Sequence, residues 1–443
     1  MNENINKFLL IQNDVIVWFS KIESVVYKNN KRLFSINKDG AKILYLCNGT
    51  MTLKDIVKRL TIKNEHYNDN LRKAFSFIET LYKMGVIYFS EFPSHVPREK
   101  YKKGSMDKIY PFHITLELTN RCNLKCRYCY NNSSILNRDE LIHPIELLKE
   151  LKDNGVWSLE FSGGEPLLHS KIEDILYFAL NNFGMIGIIT NGTLIDERIC
   201  EIVKDFSDRV IFQVCLDSLD HNELEKITNV KNSYKKIIKG INFLKKNDLV
   251  YRIGMVIDDP KRIEKIEDVL KFAIKEGASA FVANIVLNFG RGENQANKFK
   301  EEDYKKFWEK IEELTVKYPK MFRTEIFDKM GESKNCGAGS RALTINWNRE
   351  IKMCVLDELV IDKLDNKRRY RDFISEKQEL FEIFAKLGTP NEKICGKCNF
   401  LNYCYKCVVR GVRKSKEIGI DKCSWTVKEM EKIKFITNGG CYE

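Results

Sequence analysis

Six short apolar runs alternating with amphipathic stretches fill the middle of this 443-residue chain, and nothing else in it constrains the fold so tightly. The runs lie at 112–118, 156–161, 186–189, 210–216, 251–257 and 281–287. Helical patterns near 144–153, 170–183, 196–206, 233–246 and 263–276 fall between them. Strands that alternate with helices of this length imply parallel neighbours joined by right-handed crossovers. The expected fold class is therefore α/β, a partial or closed barrel of six strand–helix repeats spanning 111–320.

Both flanks differ from this region. Residues 1–90 have apolar runs at 15–19, 24–27 and 32–36, then helical patterns at 41–46, 53–60 and 68–84, with an Asn48-Gly49 turn and Thr52 as N-cap. A short strand at 86–89 closes the segment. Strands, a pair of helices and a last strand describe a winged helix. Residues 91–110, with two prolines and several charges, suit a linker. From about 330 the periodicity weakens and cysteines accumulate, so 321–443 is expected to be a separate, metal-supported domain.

Composition decides what those cysteines are for. There are 14, too few for a small disulfide scaffold and too many for incidental core thiols. The opening residues have no basic stretch and no small-residue cleavage site, and no apolar run approaches the roughly 18 residues of a membrane span. The expectation is a cytoplasmic protein without a membrane span, in which thiols stay reduced. Metal ligands or redox centres then outrank disulfides. The formal charge of +12 raises a nucleic-acid reading, but a Lys- and Asn-rich solvated surface is the better explanation. Residues 1–90 hold 14 Lys and Arg against 8 Asp and Glu, a net +6 that suits an acidic partner.

Directly after the first barrel run come Cys122, Cys126 and Cys129, spaced C-x3-C-x2-C within Thr119–Tyr130. A structural zinc would want a fourth ligand nearby, and no further His or Cys is close in sequence. Three thiolates on a four-iron cluster leave one iron open to a substrate. This spacing at the end of strand one resembles the signature of the radical S-adenosylmethionine (SAM) superfamily. The resemblance extends to Gly163, Gly164, Glu165 and Pro166 after strand two, to Asn191 after strand three, to Asp217 after strand four and to Asn288 in the run Asn288-Phe289-Gly290-Arg291-Gly292. By that resemblance these residues bind SAM, with Glu165 accepting hydrogen bonds from its ammonium, and reductive cleavage yields a 5′-deoxyadenosyl radical. Two positions depart from the pattern. Cys215 replaces the usual Ser, and Thr228-Asn229 occupies the place of an Arg that pairs with the SAM carboxylate, leaving Lys226 or Lys231 as substitutes.

The C-terminal third carries Cys336, Cys354, Cys395, Cys398, Cys404, Cys407 and Cys423. Paired CxxC spacing is also found in zinc ribbons, so a four-cysteine zinc site stands as the bland alternative. Downstream of a radical SAM barrel, the set resembles the SPASM domain with two auxiliary [4Fe-4S] clusters. That resemblance implies Cys395, Cys398, Cys404 and Cys423 around the outer cluster, and Cys336, Cys354 and Cys407 around an inner cluster with an open iron. Cys441 is a rival ligand for it. Arg349 stands where the family has a Gly, and Asn348 is expected to take the positive-φ position in the hairpin that delivers Cys354. Cys47, Cys200 and Cys215 are expected to be buried core thiols.

Fused to such an enzyme, the winged helix resembles the peptide-recognition element of peptide-modifying enzymes, similar to the chaperone of pyrroloquinoline quinone biosynthesis. A leader peptide would add to a sheet edge, with 32–37 as the candidate strand beside helix 68–84. Across all three parts the chain is closest to the sactipeptide maturases of the subtilosin A type. The resemblance implies an enzyme that joins a cysteine sulfur to a carbon in a precursor peptide. SAM, three [4Fe-4S] clusters and a reduced flavodoxin or ferredoxin-like donor would serve it, with no nucleic-acid partner and no acid–base catalytic residue. The alternatives are carbon–carbon crosslinking, sulfatase-type Cys or Ser oxidation, and a DNA-binding iron–sulfur redox regulator.

Overall fold

The structure, a computed structural model, describes residues 3–29, 31–61, 67–322 and 335–429. These residues divide into two compact units, one formed by 3–110 and the other by the remainder.

The first unit contains strands β1 (Phe8–Ile11), β2 (Val15–Phe19), β3 (Ser24–Lys28), β4 (Lys31–Ile36), β5 (Asn48–Thr52), β6 (Ile87–Ser90) and β7 (Lys102–Gly104), and helices α1 (Lys38–Leu46), α2 (Leu53–Leu60) and α3 (Tyr67–Lys83). The strands form a three-stranded sheet, β5-β1-β6, and a four-stranded sheet, β4-β3-β2-β7. Leu9, Val17, Phe19, Leu44, Ile56 and Ile78 are fully buried in the shared core. Helix α2 starts where Thr52 predicts. Its hydroxyl accepts from the Asp55 amide at 3.2 Å while the Asp55 carboxylate accepts from the Thr52 amide at 3.1 Å, a reciprocal capping box.

The structure adds one strand here and shifts two expectations. The apolar residues 8–11 form the central strand of the small sheet. Asn48 and Gly49 begin β5 instead of a free turn, with Gly49 at φ +85°. Residues 91–110 do not run as a bare linker: Tyr101 is buried in the core, its carbonyl accepts from the Val17 amide at 2.7 Å, and β7 pairs in parallel with β2. Strand β4, the candidate edge, does lie at the end of its sheet.

The second unit is built on one nine-stranded sheet. Its strands are β8 (His113–Thr119), β9 (Ser158–Gly163), β10 (Met185–Thr190), β11 (Val210–Cys215), β12 (Tyr251–Ile257), β13 (Ala280–Ile285), β14 (Ala342–Ile345), β15 (Glu350–Lys352) and β16 (Val360–Lys363). Helices α4 (Pro144–Asp153), α5 (Ile172–Asn182), α6 (Glu197–Lys204), α7 (His221–Thr228), α8 (Ser233–Lys246) and α9 (Ile266–Glu276) fall between the first six strands. The order is β13-β12-β11-β10-β9-β8-β14-β15-β16, with β8 to β13 parallel and consecutive, as the alternation predicts. The C-terminal region does not stand apart. Strand β14 pairs in parallel with β8, and β15 and β16 continue the sheet antiparallel. Helix α7 is not expected from the sequence, because eight residues with two buried apolar positions, Leu224 and Ile227, carry little periodicity.

Two measurements test these packing arguments. Thr52→Ala removes half of the capping box and is expected to cost about 1 kcal/mol, read as faster hydrogen exchange in α2. His113 is buried with Nδ1 3.0 Å from the Ser158 hydroxyl, and burial lowers its pKa. The unfolded chain, with His near about 6.5, binds more protons than the folded one, so the stabilisation is complete above that pH and is lost as pH falls toward the depressed folded value. His113→Asn should flatten that acid limb in denaturation midpoints measured between about pH 5 and 7.

Candidate metal and cofactor centre

Strand β8 ends at Thr119, and the next residues are locked in place before the first cysteine. Asn120 and Asp139 exchange side-chain and backbone hydrogen bonds, including Nδ2 to Oδ2 at 2.6 Å and the Asp139 amide to Oδ1 at 3.1 Å. The Cys122 amide donates to the Ser134 carbonyl at 3.0 Å. Further on, the Lys125 and Arg127 amides donate to the Thr228 and Ile227 carbonyls, each at 2.9 Å, so the C-terminal end of α7 supports the loop. Arg291 holds the other side, with Nε donating to the Cys126 carbonyl at 2.8 Å and Nη2 to the Ser133 carbonyl at 2.7 Å.

This frame brings Cys122, Cys126 and Cys129 together. Burial pushes the Cys122 thiol up to about 12 and holds Cys126 well above the ordinary thiol range, and Cys126 lies within electrostatic reach of Cys122, Cys129 and Cys215. Thiols held up by burial, as Cys122 and Cys126 are, ionise readily only if a cation replaces their protons. Sulfur acceptors are already served: the Leu124 amide donates to Cys122 Sγ at 3.4 Å, the Ser133 amide to Cys129 Sγ at 3.4 Å, and Asn191 Nδ2 to Cys122 Sγ at 3.7 Å. Donors of this kind tune a thiolate-bound metal. A thiol-only donor set therefore fits an iron–sulfur centre.

The Gly-Gly-Glu-Pro segment meets this loop backbone to backbone. The Gly164 and Glu165 amides donate to the Thr119 and Arg121 carbonyls at 2.7 and 2.9 Å. A Cβ on Gly164 would sit 2.3 Å from the Arg121 carbonyl oxygen. The glycine is required for backbone to pass backbone at this point. Glu165 is fully buried and caps the 3-10 turn that begins at Pro166. Burial raises its carboxyl to about 7, against hydrogen bonds from the Asn191 amide (2.8 Å), the Thr190 hydroxyl (2.7 Å) and the Leu167 amide (3.1 Å).

Asp217 is likewise engaged inside the protein, accepting from the Tyr128 hydroxyl at 2.5 Å and the Val256 amide at 2.8 Å. Arg262 donates to its carbonyl and also pairs with Asp258, which pairs with Arg127. Asn288 differs: its Oδ1 is buried without a hydrogen-bond partner, an acceptor left for a ligand. Beside it, Gly290 at φ +60° lies so close to the Cys129–Tyr130 backbone that a Cβ would sit 2.3 Å from the Tyr130 carbonyl oxygen. Thr228 is buried and Asn229 is the left-handed cap of α7, while Lys226 and Lys231 are exposed. Cys47 and Cys200 are fully buried as expected, but Cys215 differs. It is partly exposed, within electrostatic reach of Cys122, and its pKa is raised by burial and by Asp217.

The C-terminal thiols fall into two sets. Cys354 lies within electrostatic reach of Cys336 and Cys407, and burial raises it to about 12. Cys404 lies within reach of Cys395, Cys398 and Cys423, and burial raises its pKa. Cys407 caps the helix Val408–Ile418, its sulfur accepting from the Arg410 amide at 3.5 Å, where the helix dipole favours a thiolate. The hairpin before Cys354 differs in one detail. Arg349 itself adopts positive φ, +62°, because the Asn346 side chain holds the turn by accepting from the Asn348 and Glu350 amides at 3.0 and 2.9 Å. Among the described residues no group of three or more His, Cys, Asp or Glu closes on a single metal ion. All thirteen described cysteines are free thiols, and Cys441 lies outside the described residues.

Residues 116–273 match the sequence model of the Radical SAM superfamily. The chain is 28% identical over 331 residues to the antilisterial bacteriocin subtilosin biosynthesis protein AlbA of Bacillus subtilis, covering 74% of this chain and 73% of that protein. Over 265 residues it is 26% identical to the sporulation killing factor maturation protein SkfB of the same organism, covering 58% of this chain and 62% of that one. Its fold is similar to that of Streptococcus suis SuiB bound to S-adenosylmethionine, with a TM-score of 0.60 at 19% identity, over 91% of this chain and 96% of that one. SuiB bound to its precursor peptide SuiA superposes with a TM-score of 0.58 at 17% identity, over 92% and 97%. Residues 116–273, which contain the cysteine loop and the strand ends, therefore form a domain of the radical SAM superfamily, a family that uses S-adenosylmethionine and a [4Fe-4S] cluster.

Proposed function

We propose that this enzyme forms intramolecular thioether crosslinks, from cysteine sulfur to carbon, in a ribosomally made precursor peptide. The observation that carries the reading is the triad Cys336, Cys354 and Cys407, a three-thiol set on the same sheet unit as the radical triad. Three ligands around a four-iron cluster leave one position for a thiolate from outside the chain. Similarity to AlbA over about three quarters of both chains supports the same substrate class.

Cys122, Cys126 and Cys129 would hold the radical cluster, which with SAM supplies a hydrogen-abstracting radical. Asn288 offers its free acceptor to the bound nucleoside, and Glu165 retains lone pairs for the SAM ammonium beyond those used by Thr190, Leu167 and Asn191. Gly163, Gly164 and Pro166 shape the backbone beneath it, and Asp217 acts through Tyr128, which it holds against the loop. Cys395, Cys398, Cys404 and Cys423 suit an outer auxiliary cluster, and the C-terminal region is read as a SPASM domain. Residues 1–90 are read as a winged-helix recognition element whose β4 edge accepts the leader peptide. A reduced flavodoxin or ferredoxin-like protein would supply electrons. The proposed localisation is cytoplasmic; no helix among the described residues is long and apolar enough to cross a membrane.

Anaerobic incubation with the precursor peptide should remove two hydrogens per crosslink and protect one cysteine from alkylation. A product whose cysteines all still alkylate would overturn the thioether assignment. Loaded enzyme should contain about 12 iron atoms per chain. A Cys336→Ala/Cys354→Ala/Cys407→Ala variant should still release 5′-deoxyadenosine while losing about 100-fold or more of its crosslinking, because the thiol is no longer held.

A further inference from the structure

Glu117 is a charged residue in the middle of β8, a strand buried at every position. Its side chain is fully buried. Oε1 accepts from the Tyr130 hydroxyl at 2.8 Å and from Asn131 Nδ2 at 3.0 Å, and Oε2 lies 3.3 Å from Lys352 Nζ. Tyr130 follows Cys129 directly, and Lys352 stands two residues before Cys354. One carboxylate therefore ties the radical-cluster loop to the hairpin that delivers a ligand of the second triad.

The sheet register makes this possible. Thr115 of β8 pairs with Thr344 of β14, which pairs with Lys352 of β15. Glu117 lies two residues beyond Thr115, on the same face, so Lys352 reaches it diagonally across β14. Tyr130 also packs edge-on against Phe289, 5.9 Å between ring centroids. A buried pair of this kind contributes little net stability, since desolvation offsets attraction; its best-attested use is to specify register. Nothing in SAM cleavage itself calls for it.

We propose that Glu117 is a positioning residue that sets the spacing between the Cys122–Cys129 loop and the Cys354 hairpin. That spacing selects how far apart the abstracted hydrogen and the joined sulfur lie in the peptide. This rests on the thioether reading for its substrate, but the spacing itself is a property of the chain.

The test compares Glu117→Ala, Glu117→Gln, Lys352→Met and the charge-neutral double variant Glu117→Gln/Lys352→Met in the loaded enzyme. Pulsed dipolar EPR between the two reduced centres reads the spacing, and hydrogen exchange at residues 126–131 and 350–354 reads it without reference to metal. Crosslinks per 5′-deoxyadenosine read the consequence. Glu117→Ala and Lys352→Met should broaden the spacing and speed exchange in both segments. Release of 5′-deoxyadenosine should stay within about threefold of the parent while crosslinks per 5′-deoxyadenosine fall about tenfold or more, as expected for a misplacement of about 1 Å. The double variant, free of an unpaired buried charge, keeps the fold if a single variant does not. Unchanged spacing and exchange in the variants would overturn the proposal, as would a parallel fall in both products. If the parent enzyme makes no crosslink, the thioether reading fails, while the spacing and exchange still decide the role of Glu117.

Discussion

Strand β8 is the member on which the rest of the second unit depends. It pairs in parallel on both sides, with β9 and with β14, and all seven of its residues are buried. Parallel strands of this kind persist only when both faces are covered. Its C-terminal end launches the Cys122–Cys129 loop, its Thr119 carbonyl receives the Gly164 amide, and its one internal carboxylate reaches the β15 hairpin. Cofactor loop, glycine segment and second cysteine set are thus all referenced to one strand.

Electrostatics then accounts for the thiols. Without metal, desolvation holds Cys122, Cys126, Cys354 and Cys404 protonated and above their ordinary pKa. Cation binding must expel those protons, so loading is linked to pH as well as to folding. The amide donors on Cys122, Cys129 and Cys407 stabilise the resulting anions, as a helix N-terminus or a turn does for any buried thiolate.

Much of this was legible in the chain because the relevant signals are local. Six strands emerged from period and length, and Cys122, Cys126 and Cys129 from spacing within eight residues. What stayed hidden depends, Arg349 apart, on residues distant in sequence. Glu117 reads as a blemish in an apolar run, and the register that brings Lys352 beside it, 235 residues on, gives it a charged partner. Cys215 has the flanks of a core thiol, yet at the end of its strand it lies within electrostatic reach of Cys122. Gly164 reads as a residue beside the ligand, and only the fold adds that a Cβ there would meet the Arg121 carbonyl. Arg349 takes left-handed backbone because the side chain of Asn346, three residues earlier, pays for the turn.

The place of β14 also governs how such a chain is made. Its first pairing residue, Ala342, lies 229 positions after its partner, His113 (342 − 113). At translation rates of about 5–20 residues per second, β8 waits roughly 10–50 s on the ribosome with one edge unpaired. During that interval its backbone is a template for any passing strand, and a chain stopped before residue 342 never closes it.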